Sequence, residues 1–189
     1  MRQLALTIVV AALAGSAAAG SLVPDPTLFC PPAGAGIAIN GVLEEVVWQI
    51  PALVPKFVGI DGKDPQEQTE AWAAFGKDGI YFAFSCRQAK MSPTNSVTNP
   101  QPWRDDSVEL FIDANGDRAT YHHFILSAAG AKFYERVGGS SALGANMPAE
   151  WEGVARIEEG KWFAEVYIPY STLGKRLEEG MVIRANLCR

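Results

Sequence analysis

From Thr69 to Cys188 the chain is a ladder of short strand-type runs separated by turn signals, and that spacing is its strongest constraint on fold. Thr69 to Phe75 is rich in aromatics. Asp78-Gly79 marks a turn, and Ile80 to Cys86 is a strong strand, so the two runs read as a hairpin. Ser107 to Asp113 is followed by the turn Asn115-Gly116-Asp117 and a returning strand, Thr120 to Leu126. Ala128-Ala129-Gly130 turns into Lys132 to Val137. Trp151 to Ile157 and Lys161 to Ile168 flank Glu159-Gly160, Pro169 ends that hairpin, and Ser171 to Gly174 reads as a helical turn. Met181 to Cys188 is the last strand. No run carries a long helical period. The sequence therefore predicts an all-β fold: a two-sheet antiparallel β-sandwich, jelly-roll-like, with short helical turns.

The N-terminus reads as a separate segment. Met1-Arg2-Gln3 carries one positive charge, an apolar run follows from Leu4 to Gly15, and small residues run from Ser16 to Gly20. This is the pattern of a secretory signal cut after Ala19. The apolar run, about 12 residues, falls short of the ~20 needed to span a bilayer. Residues 1–19 are thus expected to be a signal peptide, and the product secreted, periplasmic or held at the cell surface. Residues 20–36, with Pro24, Pro26, Pro31 and Pro32, read as an extended Pro/Gly-rich linker. The folded domain is expected over 37–189. It opens with a strand from Ile37 to Leu43 across an Asn-Gly turn, then one helical turn ending at Trp48.

The formal net charge is −5, which argues against nucleic acid and anionic membrane surfaces as partners. Three cysteines, Cys30, Cys86 and Cys188, allow one disulfide after export; Cys86 with Cys188 is the candidate pair. Five Trp, five Tyr and nine Phe are ample for a sandwich core with aromatics left over for a binding face. Trp48, Trp72 and Trp162 are read as core.

The most informative segment is Gln101 to Asp113. Alternation puts Val108, Leu110 and Ile112 on one face and Ser107, Glu109, Phe111 and Asp113 on the other. Glu109 then stands on an accessible face near a loop that delivers Trp103. An indole beside a carboxylate suits a sugar: the ring stacks on the C–H face of a pyranose and the carboxylate accepts from hydroxyls. Two other roles compete. Trp103 is also placed to plug the sandwich end, and Glu109 to pair with Arg189.

The chain resembles the family 9 carbohydrate-binding modules and related sandwich domains. The resemblance runs from Ile39-Asn40-Gly41 with Leu43, Glu45 and Trp48, through Asp78-Gly79-Ile80-Tyr81, to Pro102-Trp103 and Asp106 to Asp113. It resumes at Gly160-Lys161-Trp162, Glu165-Val166, Ile168-Pro169 and Leu173-Gly174, and ends at Asn186 and Arg189. It implies non-catalytic carbohydrate binding as an accessory module in glycan degradation, with a linked catalytic domain as one partner. It also implies that Trp103 is one wall of an aromatic clamp and that Glu109 bonds sugar hydroxyls; Arg104 and His123 complete the candidate ligand set. Two departures stand out. Sugar-binding members hold an arginine next to the phenylalanine matching Phe124, where this chain has Ile125, with His123 on the other side. Members also supply a second clamp tryptophan beyond the strand matching 181–189, and this chain ends at Arg189, so the domain reads as truncated. An interaction or structural domain that has kept the fold and lost sugar binding is the alternative.

Other chemistry is weaker. Asp113 to Asp117 has D-x-N-x-D spacing, but Arg118 and Phe124 stand where a calcium loop wants Gly and Glu. A hairpin turn is the simpler reading. Asp105, Asp106 and Asp117 remain candidates for the structural calcium the resemblance implies; no cofactor is required. Adjacent His122 and His123 face opposite sides of a strand and cannot chelate together. A glycosidase needs two carboxylates about 5–9.5 Å apart. Glu109 and Asp113 stand about 13 Å apart at ~3.3 Å per residue, and Glu165, on another strand, stays open as a second acid.

Overall fold

The computed structural model describes residues 6–10, 27–34, 36–51, 53–54, 56–59, 61–91, 100–138 and 146–189. Their strands are β1 (Leu6–Val10), β2 (Thr27–Cys30), β3 (Thr69–Phe75), β4 (Gly79–Arg87), β5 (Ser107–Asp113), β6 (Tyr121–Ser127), β7 (Lys132–Val137), β8 (Glu152–Glu158), β9 (Lys161–Pro169) and β10 (Val182–Cys188). One helical turn, α1 (Tyr170–Leu173), follows β9, and 3₁₀ turns cover Val46–Trp48 and Pro102–Arg104. One sheet has the order β2-β1-β10-β5-β6-β7 and the other β3-β4-β9-β8. All neighbours are antiparallel except β1 and β10. The fold is the expected two-sheet β-sandwich.

Period-2 alternation builds the core. Val108, Leu110 and Ile112 of β5 point inward with Phe124 and Leu126 of β6 and Ile183, Ala185 and Leu187 of β10. Phe82, Phe84, Trp162, Val166 and Ile168 meet them from the other sheet. Each large side chain so buried contributes roughly 1.5–3 kcal/mol relative to exposure. Backbone fit is tight at the start of β4. A Cβ on Gly79 would lie 2.4 Å from Tyr167 Cε2 and 2.5 Å from the Ile168 carbonyl oxygen, so only glycine lets that ring lie across the strand.

The N-terminal part differs from expectation. Residues 37–43 form no strand, and the helical turn shrinks to Val46–Trp48. The cause is a buried carboxylate. Glu165, on the outward face of β9 yet fully buried, accepts from the Asn40 N–H (3.0 Å), the Gly41 N–H (2.8 Å) and Trp48 Nε1 (3.0 Å). Those donors are spent on Glu165 rather than on a strand ladder, and Gly41 sits at φ 79°. Trp48 is buried as expected, but against the outside of the four-stranded sheet with Ala33, Ala74 and Ala83; half-buried Trp72 packs there too. Trp162 lies in the central core.

The linker reading of 20–36 is also corrected. Cys30 is fully buried in the core. The Ala33 N–H donates to the Phe75 carbonyl (2.8 Å) and the Phe75 N–H to that of Pro31 (3.0 Å), so Cys30 to Ala33 belong to the fold. Leu6–Val10, inside the segment read as a signal, lies between β2 and β10; the expected cleavage point at Ala19 is outside the described residues. The three cysteines are free, so the expected Cys86–Cys188 disulfide is not formed. Cys86 faces the core while Cys188 is on the outward face of the other sheet. Burial pushes their thiols up to about 12 and about 11.

Candidate carbohydrate-binding face

The outward face of β10, β5, β6 and β7 carries the candidate site. Register sets Asn186 opposite Phe111, Phe111 opposite His123 and His123 opposite Glu135. The next row sets Cys188, Glu109, Ile125 and Phe133 side by side. The Pro102–Arg104 turn lies against β5 and β6. Pro102 fits its first position, where no N–H is needed. The turn is braced from behind: the Ala128 N–H donates to the Asp106 carbonyl (2.7 Å), and Gln88 Nε2 donates to Asp106 Oδ1 (2.5 Å). Arg189 Nη2 donates to Gln88 Oε1, and Nη1 to the Glu67 carbonyl (3.3 Å) and Thr69 Oγ1 (3.4 Å). Arg189 therefore braces this scaffold and is not the partner of Glu109.

Trp103 stands on that turn with 41% of its surface exposed. Its ring meets that of buried Phe133 edge-to-face, centroids 5.2 Å apart at 79°, which seats the half-exposed indole on the sheet. Glu109 Oε2 lies 2.8 Å from His123 Nε2, and His123 Nδ1 lies 3.0 Å from Glu135 Oε1. Phe111 stacks flat on the imidazole, centroids 4.0 Å apart at 14°. Burial pulls the His123 pKa down, but hydrogen bonds and charge from Glu109 and Glu135 outweigh it and hold the group above its ordinary value. His122, on the inner face, is bonded to the Tyr134 hydroxyl (2.9 Å) and held low by burial and by Arg136. Ile125, at the place expected to hold arginine, is fully buried, and His123 is the partner of Glu109.

The structure thus gathers Trp103, Glu109 and His123 on one face, with exposed Arg104 beside Trp103 in the chain. Phe111, Phe133 and Glu135 join them without having been picked out by sequence. The available signal was the tight Ala128-Ala129-Gly130 turn, whose register places Glu135 opposite His123. Two surface hollows, of about 580 and 210 Å³, are lined by Pro31, Val46 and Ile50 and by Gly41, Arg156 and Phe163. Neither includes Trp103.

The proposed aspartate trio is not assembled. Asp105 and Asp106 precede β5 and Asp117 follows it, so seven strand residues, roughly 20 Å at ~3.3 Å each, lie between them. Asp117 accepts from the Thr120 hydroxyl (2.6 Å), the Thr120 and Ala119 N–H groups (both 2.7 Å) and Asn115 Nδ2 (2.9 Å), which hold it well below the usual carboxylate range. Asp113 accepts from the Gly116 and Arg118 N–H groups at 2.6 and 3.0 Å. The D-x-N-x-D stretch is a self-bonded hairpin turn. Among the described residues no three His, Cys, Asp or Glu side chains converge on an ion position. Thermal melts with calcium and with chelator are expected to coincide; a calcium-dependent rise in melting temperature would restore the cation reading.

Glu165, the second acid the sequence left open, lies on the four-stranded sheet and not on the face of Glu109. The fold and this face define the class: a two-sheet β-sandwich that carries an exposed indole and a carboxylate on the outside of one sheet. The chain belongs to the carbohydrate family 9 binding domain-like family, whose model matches residues 39–187; the family is carbohydrate-binding and non-catalytic. Among solved structures it is similar to a family 9 carbohydrate-binding module from Caldicellulosiruptor kristjanssonii in complex with glucose. That match has TM-score 0.62 and 16% identity and covers 82% of this chain and 74% of the other. A module of the same family and organism in complex with cellotriose matches with TM-score 0.54 and 18% identity, covering 71% of this chain and 64% of that one. At these identities the likeness is one of fold. No curated protein matches the sequence significantly.

Proposed function

We propose that this chain is an exported carbohydrate-binding module serving glycan breakdown, in which a pyranose lies on the open face of Trp103 and gives hydroxyl hydrogen bonds to Glu109. The observation that carries this is the half-open indole, seated on Phe133 over the same outward sheet face that presents Glu109. The glucose and cellotriose bound by the two structural neighbours suggest a glucan as the first ligand to try. Export rests on the signal-like pattern of residues 1–19 in the sequence, and accessory work beside a catalytic domain rests on the family resemblance. Calorimetric titration with glucose, cellobiose and cellotriose, with pull-down on insoluble glucans, is expected to show binding.

One observation favours a second reading. Buried Ile125 replaces a sugar-contacting arginine, as in a sandwich that has become an interaction domain. A folded protein that binds no member of a broad glycan panel would decide for that reading.

A further inference from the structure

Both ring nitrogens of His123 are engaged by carboxylates, at 2.8 Å from Glu109 and 3.0 Å from Glu135. A neutral imidazole has one N–H and one lone pair. It would donate to one carboxylate and aim its lone pair at the other. An imidazolium donates to both, and so satisfies both carboxylates at once. Phe111, flat against the ring, fixes its plane. No described residue bonds Glu109 Oε1, the oxygen not used by His123.

We infer that His123 is a positioning residue for the sugar face: as a cation anchored on buried Glu135, it holds Glu109 with one oxygen pinned and the other offered to ligand hydroxyls beside Trp103. This rests on the carbohydrate reading above. Loss of the proton leaves one N–H between two anions. Glu109 is the more exposed of the two, 22% against 12% for Glu135, so it is the one that turns away. Among the described residues, the neighbouring strands and turn bring these groups toward the ring. β5 brings Glu109 and Phe111, and β7 brings Phe133 and Glu135. β10 brings Asn186, the neutral Cys188 thiol opposite Glu109, and Arg184, which lies further along opposite Asp113. Tyr121 lies on β6 with His123, and the Pro102–Arg104 turn adds Trp103 and Arg104, followed by Asp105 and Asp106.

The sign follows from the raised His123 pKa. The clamp is complete below the ordinary imidazole value of 6.5 and is lost as pH rises through the higher folded value. Affinity for cellotriose is expected to fall about tenfold between about pH 6 and about pH 9, the size of one charge-assisted hydrogen bond. His123→Gln should abolish that step and bind like the alkaline wild type at every pH. The chain has two histidines, so imidazole nitrogen NMR resolves the clamp without ligand. His123 should titrate above 6.5 with both nitrogens protonated on the acid side of its transition, His122 should titrate below 6.5, and Glu135→Gln should lower the His123 value. A His123 that titrates at or under 6.5, or sugar binding that is flat with pH, overturns this role alone. Absence of binding at every pH overturns the carbohydrate reading and this role together.

Discussion

Glu165→Ala is expected to lower the stability of the domain by about 3 kcal/mol or more, for two backbone N–H groups and one indole N–H would be left in a buried site without an acceptor. In a domain of this size that is a melting temperature lower by roughly 6–12 °C. The loss is local in origin. Asn40, Gly41 and Trp48 belong to the segment that covers the outside of the four-stranded sheet, and Glu165 is the only described acceptor for all three donors. Hydrogen exchange should therefore show protection lost first between residues 37 and 50. Glu165→Gln keeps one oxygen but turns an NH₂ toward the donors, so its loss should fall between wild type and Glu165→Ala. The pH dependence adds a second readout. Burial, helped by the charge of Glu45, holds the Glu165 pKa above its ordinary 4.5 against three hydrogen bonds that favour the anion. A carboxyl with a raised folded value makes its full contribution at low pH and loses it as pH climbs from 4.5 through that value. Glu165→Gln should flatten the stability profile in that window. A Glu165→Ala protein that melts with the wild type would mean that water replaces the carboxylate at no cost.

The sequence made β3 to β10 legible because local turn chemistry and period-2 alternation agree there. Asp78-Gly79, Asn115-Gly116 and Glu159-Gly160 each join two runs whose inward residues are apolar. The N-terminal cover was misread for the opposite reason. Ile37-Ala38-Ile39-Asn40 alternates like a strand, but its conformation is set by a carboxylate more than a hundred residues away in the chain, and no local pattern encodes that. Cys30 was misplaced because prolines on either side mask a short strand that the core needs. At the candidate site, Trp103 and Glu109 were legible from one segment. Glu135 was not, because its role exists only once β6 and β7 are in register and His123 stands between two acids.

Trp103→Ala should weaken sugar binding by about 1–3 kcal/mol, the range for an aromatic stacking platform, or roughly 5- to 150-fold in dissociation constant. The melting temperature should hardly move. The indole is 41% exposed and touches the fold edge-on at Phe133, while the turn beneath it is held by Asp106, Gln88 and Arg189, none of which needs the ring. Trp103→Phe should recover part of the affinity, since a smaller π-face still covers the C–H face of a sugar. Glu109→Gln supplies the contrast: it keeps the platform but removes the charged acceptor, so it should lose affinity without altering the preference for a six-membered ring. If Trp103→Ala instead unfolds the domain while the surviving folded fraction binds sugar as the wild type does, the ring is a plug for the sandwich end and the ligand lies elsewhere.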